Sequence, residues 1–587
     1  MKSRLFQLFA LLVVTFCHAS SKRAKNGGRP NVLFIVIDDL RPKLGCYGED
    51  IVSPNIDQLA SKSMRFTNAH VQQAVCAPSR VSFLTGRRPD TTRLYDFGSY
   101  WRKAAGNYTT LPQYFKEQGY FSAGVGKVFH MGISSNGSFD YPYSWSIPNY
   151  WPSTEQYITS KVCITPEGKK HNLLCPVDLK TQPEGTLPDI QNADYAVDLL
   201  KNIYDGAPYV DFFGENQTMQ EPFFVGLGFR KPHVPYKYPE EFKALYPLDS
   251  IQIAKDKDLP SELPSVAYAP YLSTLDNYDD IAGLNLSFPY GPMPIDYHYL
   301  IRQNYYSSVS YTDYQLGRVL SALDKYGFSD NTIISFVGDH GWQLGEHSEF
   351  SKFTNYLYAT NVPLLFHVPG VTDRGVRSKR KFPLIHPLKF KPKPRTSMKP
   401  SGILMSASES TEKHMYRPRD QGPTSNAFAE LVDLFPTVSD LAGLQVPSLC
   451  PEDSLNETLC REGVSLAPLI KSHFGGGEQN ISNVKTCTIS QYPRPSDQPE
   501  KGSILPKLAT IIIMGYSMRT SDYRYSEWVG FNHTTFQMDW EDLHASELYI
   551  LANDPSEDNN VAQDPTYIDI VQEMSSKLHQ GWRDCIL

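Results

Sequence analysis

An α/β fold with a large parallel or mixed sheet flanked by helices, followed by a smaller antiparallel α+β unit, is predicted by three features of the 587-residue sequence. Two segments, "NVLFIVIDD" and "NTIISFVGDHG", are continuously apolar, which suits strands buried on both faces of a sheet. Apolar residues recur at helical spacing in "YYSSVSYTDYQLGRVLSAL", between such strands. Near the C-terminus, "LATIIIMGYSMRTSDYRYSEWVGF" has the alternation and turn residues of antiparallel strands.

Along the chain, residues 1–20 have the form of a signal peptide: early positive charge, an apolar run of about a dozen residues and a small-residue exit. The run is too short to span a bilayer, so no stable membrane anchor is expected. The large unit is placed at residues 30–445. Its first strand, Val32 to Ile37, ends on Asp38 and Asp39, and a second, Thr332 to Val337, ends on Gly338, Asp339 and His340. "PFFVGLGFRKPHVP" and "VPLLFHVPG" are further strands, the former leading into Arg230, Lys231 and His233. Core strands that end in acidic and imidazole side chains point to one site at the carboxyl edge of a sheet. Residues 375–419, rich in Lys, Arg, Pro and Ser, are read as an exposed excursion, and "LVDLFPTVSDLAGL" resumes helical patterning. The smaller unit takes residues 446–587.

Composition narrows the functional class. With 41% hydrophobic residues, 36 Tyr and 30 Phe, a sizeable core is easily built. A net charge of −7 without a long basic block argues against a nucleic-acid partner, yet local clusters of Arg and Lys leave a polyanionic substrate open. Sequons at Asn107, Asn136, Asn216, Asn285, Asn456, Asn480 and Asn532 suit a glycoprotein of the secretory pathway. Cys163 with Cys175, and Cys450 with Cys460, close short loops and read as disulfides. Cys46, Cys76, Cys487 and Cys585 then remain, and the even count leaves further bridges open.

Asp38, Asp39, Asp339 and His340 form an oxygen-rich divalent set that favours Ca²⁺ or Mg²⁺, with zinc left open by the imidazole. The bland alternative is that the paired aspartates cap a turn. Cys76 has three readings: half of a disulfide, a buried thiol, or a residue modified to something more reactive. A thiolate beside a hard cation is mismatched, whereas a hydrated aldehyde would offer one hydroxyl to the metal and one for attack.

The stretch "CAPSRVSFLTGRR", Cys76 through Arg88, resembles the sulfatase signature: Cys-x-Pro-Ser-Arg, four residues, then Thr-Gly. The resemblance spans nearly the whole mature chain, from "NVLFIVIDDLRPKLGCYG" to "HASELY". "GKVFH", "YGPMPIDY", "GDHGWQLGEH" and "QYPRPSD" are similar to the branch of that family that acts on 2-sulfated iduronate. The resemblance implies an alkaline-phosphatase-like sulfatase fold, with Cys76 oxidised to formylglycine by the formylglycine-generating enzyme. It implies Ca²⁺ held by Asp38, Asp39, Asp339, His340 and residue 76. It places Arg80 on the formylglycine hydrate, Lys127 on the sulfate, His130 beside residue 76, and His233 and Lys352 on the sulfate and the leaving oxygen. The implied reaction is exo-hydrolysis of the 2-O-sulfate of terminal L-iduronate 2-sulfate in dermatan and heparan sulfate, by hydrate attack on sulfur and elimination of sulfate.

Lysosomal residence with a secreted fraction, and a monomer, are further expectations. Lys127 and His130, three apart, could share a face of a helical turn. For substrate contacts, Trp342 and Arg494 are singled out, Arg494 as a bidentate partner for the sugar carboxylate. The bland readings are a surface turn at His233, a solvated Lys352, and an Arg494 that only ties the two units together. A glucuronate or hexosamine sulfatase, a metal-dependent phosphatase of the same scaffold, and a non-catalytic glycan-binding protein are the rival functions.

Overall fold

The computed structural model describes residues 28–373, 381–390, 422–475 and 483–587. Seven strands build the large sheet: β1 (Asn31–Ile37), β2 (Met64–His70), β3 (Phe121–Gly126), β4 (Phe223–Phe229), β5 (Thr332–Gly338), β6 (Leu364–His367) and β7 (Thr424–Glu430). Their order is β7-β2-β6-β5-β1-β4-β3, and the labels cover only the two large sheets. β1 is an interior strand and runs parallel to β4 and β5, while β6 is antiparallel to both of its neighbours, so the sheet is mixed.

The continuous hydrophobicity of β1 has a direct cause. Leu33, Ile35 and Ile37 face one core, and Val32, Phe34 and Val36 face a second one across the sheet. Numbering the principal helices alone, the second core is closed by α1 (Cys76–Thr85). The first core is closed by α2 (Pro188–Asp205) and α3 (Ile295–Lys325). α3 begins ten residues before the periodic stretch seen in the sequence. Its polar first turns start after Pro294 and carry Asp296, which suits a helix N-terminus. The second core also receives α4 (Leu434–Leu441) and α5 (Ala467–His473), so packing around the large sheet continues past residue 445.

The smaller sheet is antiparallel, in the order β8 (Thr488–Arg494), β9 (Ile513–Arg519), β10 (Tyr523–Asn532), β11 (Gln537–Ile550). α6 (Ile568–Gln580) buries Met574 and Leu578 against Met514, Tyr525 and Leu548 of this sheet. Disulfides join Cys163 to Cys175, Cys450 to Cys460, and Cys487 to Cys585, leaving Cys46 and Cys76 as buried thiols among the described residues.

The exposed excursion expected at 375–419 needs correction where it is described. Phe382 is buried in the first core, and Ile385 exchanges hydrogen bonds with the Asn55 side chain at 2.8 and 3.0 Å. An apolar side chain and a pairing amide override the basic composition around them. The rest of that stretch, the signal segment and Asn480 lie outside the described residues. The other six sequon asparagines are exposed. Among the described residues no helix is long and apolar enough to cross a membrane.

Candidate active site

The site begins where β1 ends. Its ladder continues for one residue on each side: Asp38 N–H donates to Phe229 O, and Asp339 N–H donates to Ile37 O, both at 3.2 Å. In a straight strand Asp38 and Asp39 would point to opposite faces. Asp39 instead adopts φ 62°, a left-handed conformation that is costly for a non-glycine residue. Three hydrogen bonds hold it. Asp39 N–H donates to Asp339 Oδ1 at 3.1 Å, and the Tyr305 hydroxyl on α3 donates to Asp39 O at 2.7 Å. The same hydroxyl accepts from Arg41 N–H at 3.1 Å. The turn thereby brings both carboxylates into one group.

Cys76 opens α1 beneath this turn. Its Sγ lies 3.4 Å from Asp38 Oδ1, 3.3 Å from His340 Nε2, 3.1 Å from Lys352 Nζ and 3.5 Å from Lys127 Nζ. Arg80, one helical turn on, donates through Nε to Asp339 Oδ2 at 2.9 Å and through Nη2 to Asp38 Oδ1 at 3.2 Å. Its Nη1 reaches the carbonyls of Lys127 and Val128. Lys127 pairs with Asp38 at 2.5 Å and Lys352 with Asp39 at 2.6 Å. Lys127 follows β3, and the backbone can approach this closely because residue 228 is glycine: a Cβ there would overlap the Lys127 carbonyl. The two lysines are thus buried members of the cluster rather than solvated side chains.

Electrostatics sorts the groups. Burial raises the Asp38 pKa, but Lys127, His233, Arg80 and Lys352 outweigh it and hold the carboxyl well below its usual range. Asp339 is pushed up to about 7 by burial and by the charges of Asp38 and Asp39, against Arg80 and Lys352. The Cys76 thiol is pushed up to about 12 by burial and then by Asp38, so the unmodified residue stays protonated and is a poor nucleophile.

The donor set fits a hard divalent cation. Ligand atoms of Asp38, Asp39, Cys76 and His340 lie within 4.8 Å of one another. Asp39 Oδ2 is buried without a hydrogen-bond partner. His340 Nδ1 contacts Gly341 O at 3.0 Å, which places the proton on Nδ1 and leaves the Nε2 lone pair facing the cluster. Asp339 sits differently: Oδ1 accepts from the N–H groups of Asp39 and His340, and Oδ2 from Arg80. Sulfur is the one soft donor, so replacing it by oxygen would match the rest of the set.

His233 and His130 border the cluster, and both are half-buried. His233 Nδ1 is tied to Val234 O at 2.6 Å, freeing Nε2. Its pKa lies well below the usual value because of burial and the charges of Lys127, Arg230 and Lys352, against Asp38. His130 stacks on Phe97 at 4.4 Å and is likewise neutral through burial, Lys127 and Arg80. Lys127 and His130 do not share a helical turn, since the chain after β3 is irregular there. Trp342 is buried, with its ring 5.6 Å from Lys352 Nζ.

Arg494 requires a correction. It is 2% exposed and donates to the carbonyls of Val266, Pro493, Ala267 and Phe353 at 2.9–3.4 Å. A guanidinium so engaged has no fork to offer a sugar carboxylate; it ties β8 to segments of the large unit. Tyr305 was missed in the sequence because its helical spacing reads as core, and only the φ of Asp39 reveals what its hydroxyl holds.

A family model described as Sulfatase matches residues 30–392. The chain is 48% identical to iduronate 2-sulfatase of Mus musculus, over 95% of each chain, and 49% identical to that of Homo sapiens, over 92% of each. Among solved structures, the phosphonate monoester hydrolase of Agrobacterium radiobacter superposes with a TM-score of 0.62 at 20% identity, covering 94% of this chain and 95% of that one. A 2-O GAG sulfatase superposes with a TM-score of 0.57 at 20% identity, covering 94% and 91%. At that identity the likeness establishes the alkaline-phosphatase-like fold.

Proposed function

The chain belongs to the sulfatase family, and on that premise we propose that it hydrolyses the 2-O-sulfate ester of terminal L-iduronate 2-sulfate units in dermatan sulfate and heparan sulfate. The observation that carries the reading is the meeting of Cys76 with Asp38, Asp39 and His340, flanked by Lys127 and Lys352. Asp38, Asp39, Asp339, His340 and residue 76 would hold Ca²⁺. When bound, the cation neutralises sulfate oxygens, and the formylglycine hydrate derived from Cys76 supplies the attacking oxygen and a second hydroxyl for sulfate release.

The remaining work falls to side chains of the chain itself. Arg80, locked on two carboxylates, fixes the start of α1 relative to the sheet edge. The ammonium groups of Lys127 and Lys352 are placed to hold the transferring sulfuryl oxygens in a buried setting, where fixed charges act strongly. His233 presents Nε2, and the negative charge of a bound sulfate ester favours its protonated form, which can pass a proton to the departing C2 oxygen. His130, neutral beside Lys127, would take the proton of the second hydroxyl as the carbonyl re-forms and sulfate leaves. Six exposed sequons support passage through the secretory pathway, where the formylglycine-generating enzyme would act, and the likeness to the two mammalian relatives supports lysosomal residence.

The test is sulfate release by enzyme from a secretory host, with the residue 76 peptide checked by mass spectrometry. Disaccharides ending in iduronate 2-sulfate should be cleaved, and those ending in glucuronate 2-sulfate or a sulfated hexosamine should be poor substrates. Full turnover by enzyme whose residue 76 remains a thiol would overturn the reading.

A further inference from the structure

The cations around position 76 differ in how much of their hydrogen-bonding capacity is used. Arg80 and Lys127 bond Asp38, Lys352 bonds Asp39, and Lys231 Nζ bonds the carbonyls of His233 and Pro235. Arg494 is spent on backbone carbonyls. Arg230 is the exception: among the described residues its guanidinium makes an ion contact with Glu155 Oε2 at 3.1 Å, at 12% side-chain exposure. Even that contact is misaligned, because Arg230 Nε and Glu155 Oε2 are both buried without a hydrogen-bond partner. A half-buried guanidinium with unused N–H groups is costly unless something fills them.

Its position is fixed. Arg230 directly follows β4, and the carbonyl of the preceding Phe229 accepts from Asp38 N–H. The Arg230 and Lys231 N–H groups both donate to the Asp189 carboxylate at 2.8 Å, and Arg230 O accepts from His233 N–H at 2.9 Å. The side chain therefore leaves a rigid loop between the metal-binding turn and His233. After burial, which lowers its pKa, the charges of Glu155 and Asp38 raise it, in keeping with a place at the edge of the cluster.

Resting on the proposed action toward uronate 2-sulfates, we infer that Arg230 reads the uronate carboxylate, pairing its free N–H groups with the carboxylate oxygens while Lys127 and Lys352 hold the sulfate. Glu155 supplies the counter-charge that keeps the guanidinium in place before substrate arrives. A charge-assisted fork of this kind in a half-buried site is worth about 10- to 100-fold in binding.

The test compares full-length enzyme, Arg230→Gln and Arg230→Lys on two disaccharides: one ending in iduronate 2-sulfate, the other identical but with the carboxyl reduced to a hydroxymethyl. Wild type should prefer the carboxylate. In Arg230→Gln, kcat/KM on the carboxylate substrate should fall about 10- to 100-fold more than on the reduced one, mainly through KM, and Arg230→Lys should recover part of the preference. Equal losses on both substrates, or an unchanged preference, would overturn the inference. Wild-type enzyme that cleaves neither disaccharide would bring down the proposed activity, and the inference with it, before any variant is made.

Discussion

The carboxyl edge of the large sheet and the four-stranded sheet both bury charge, to opposite ends. In the smaller sheet every partner is satisfied. Arg524 bridges Glu547 at 3.0 Å and Glu557 at 3.1 Å, while Glu547 also accepts from Trp528 Nε1 at 3.1 Å and the Tyr549 hydroxyl at 3.0 Å. Glu557 further accepts from Leu357 N–H at 3.0 Å, linking the two units. At the sheet edge, Asp39 Oδ2 has no partner, His340 Nε2 faces other polar groups, and Arg230 is left with unused donors. Saturated buried charge locks a structure, whereas unsaturated buried charge waits for a ligand.

The comparison breaks most sharply at position 76. Cys76→Ser keeps size and burial but removes the route to formylglycine. Sulfate release should fall by three orders of magnitude or more, roughly the scale of losing a catalytic nucleophile. The melting temperature, read in the same preparation, should stay close to that of wild type. A variant retaining a tenth of wild-type turnover would defeat the expectation.

The saturated region should respond in the reverse sense. Arg524→Met leaves the fully buried Glu547 without a cation, while Glu557 keeps Arg519, a change that costs about 3–5 kcal/mol. Denaturant unfolding should show this loss, while kcat/KM of the folded fraction stays near wild type. A large loss of activity without loss of stability would mean that the smaller sheet acts in the chemistry.

Tyr305 tests the link between the two behaviours. Its hydroxyl touches no carboxylate of the cluster, but it holds the strained Asp39 backbone. Tyr305→Phe should weaken binding of the proposed Ca²⁺ about 10- to 100-fold, as loss of a contact behind metal ligands does. Calcium titration of the thermal midpoint reads this without any substrate. An unchanged calcium affinity would show that the left-handed turn holds without the hydroxyl.

What could be read in the sequence follows the same division. Strand β1 was legible because burial on both faces demands an unbroken apolar run, and the aspartates and histidine at the strand ends stood out by residue type. Saturation was not legible. Arg494 looked available because its carbonyl partners come from residues 266, 267 and 353, far away in sequence. Arg230 looked like one basic residue among several, since an unused donor leaves no mark on a sequence. The Cys487–Cys585 bridge spans 98 residues, too long a separation for spacing to suggest it. Phe382 was hidden in a basic stretch because one apolar residue makes no periodicity.

The smallest expected effect concerns pH, and it turns on carboxyls outside the catalytic cluster. Glu349 accepts from Ala269 N–H at 2.9 Å through one oxygen, and its other oxygen is buried without a partner. Burial pushes its pKa up to about 8, against the Ala269 bond, His347 and Arg494. Asp313, in α3, is pushed up to about 8 by burial despite its bonds from Ile56 and Asn55. Both folded values lie above those of the unfolded chain. The stability they contribute is therefore complete below about pH 4, where the unfolded carboxyls are protonated, and is lost as pH rises toward 8. His347, raised by its hydrogen bond to Asp558 and by nearby carboxylates against burial, works in the same direction from its unfolded value upward. These groups favour pH 5 over pH 7.5, and the buried neutral histidines, His70 at about 3 and His367 at about 4, oppose them below the unfolded histidine value. Each carboxyl can contribute at most about 1.4 kcal/mol per pH unit within its window. Glu349→Gln should flatten the dependence between pH 5 and 7.5, measured by denaturant unfolding at each pH. An identical slope in the variant would mean that Glu349 ionises freely in the folded chain, with water reaching its unpaired oxygen.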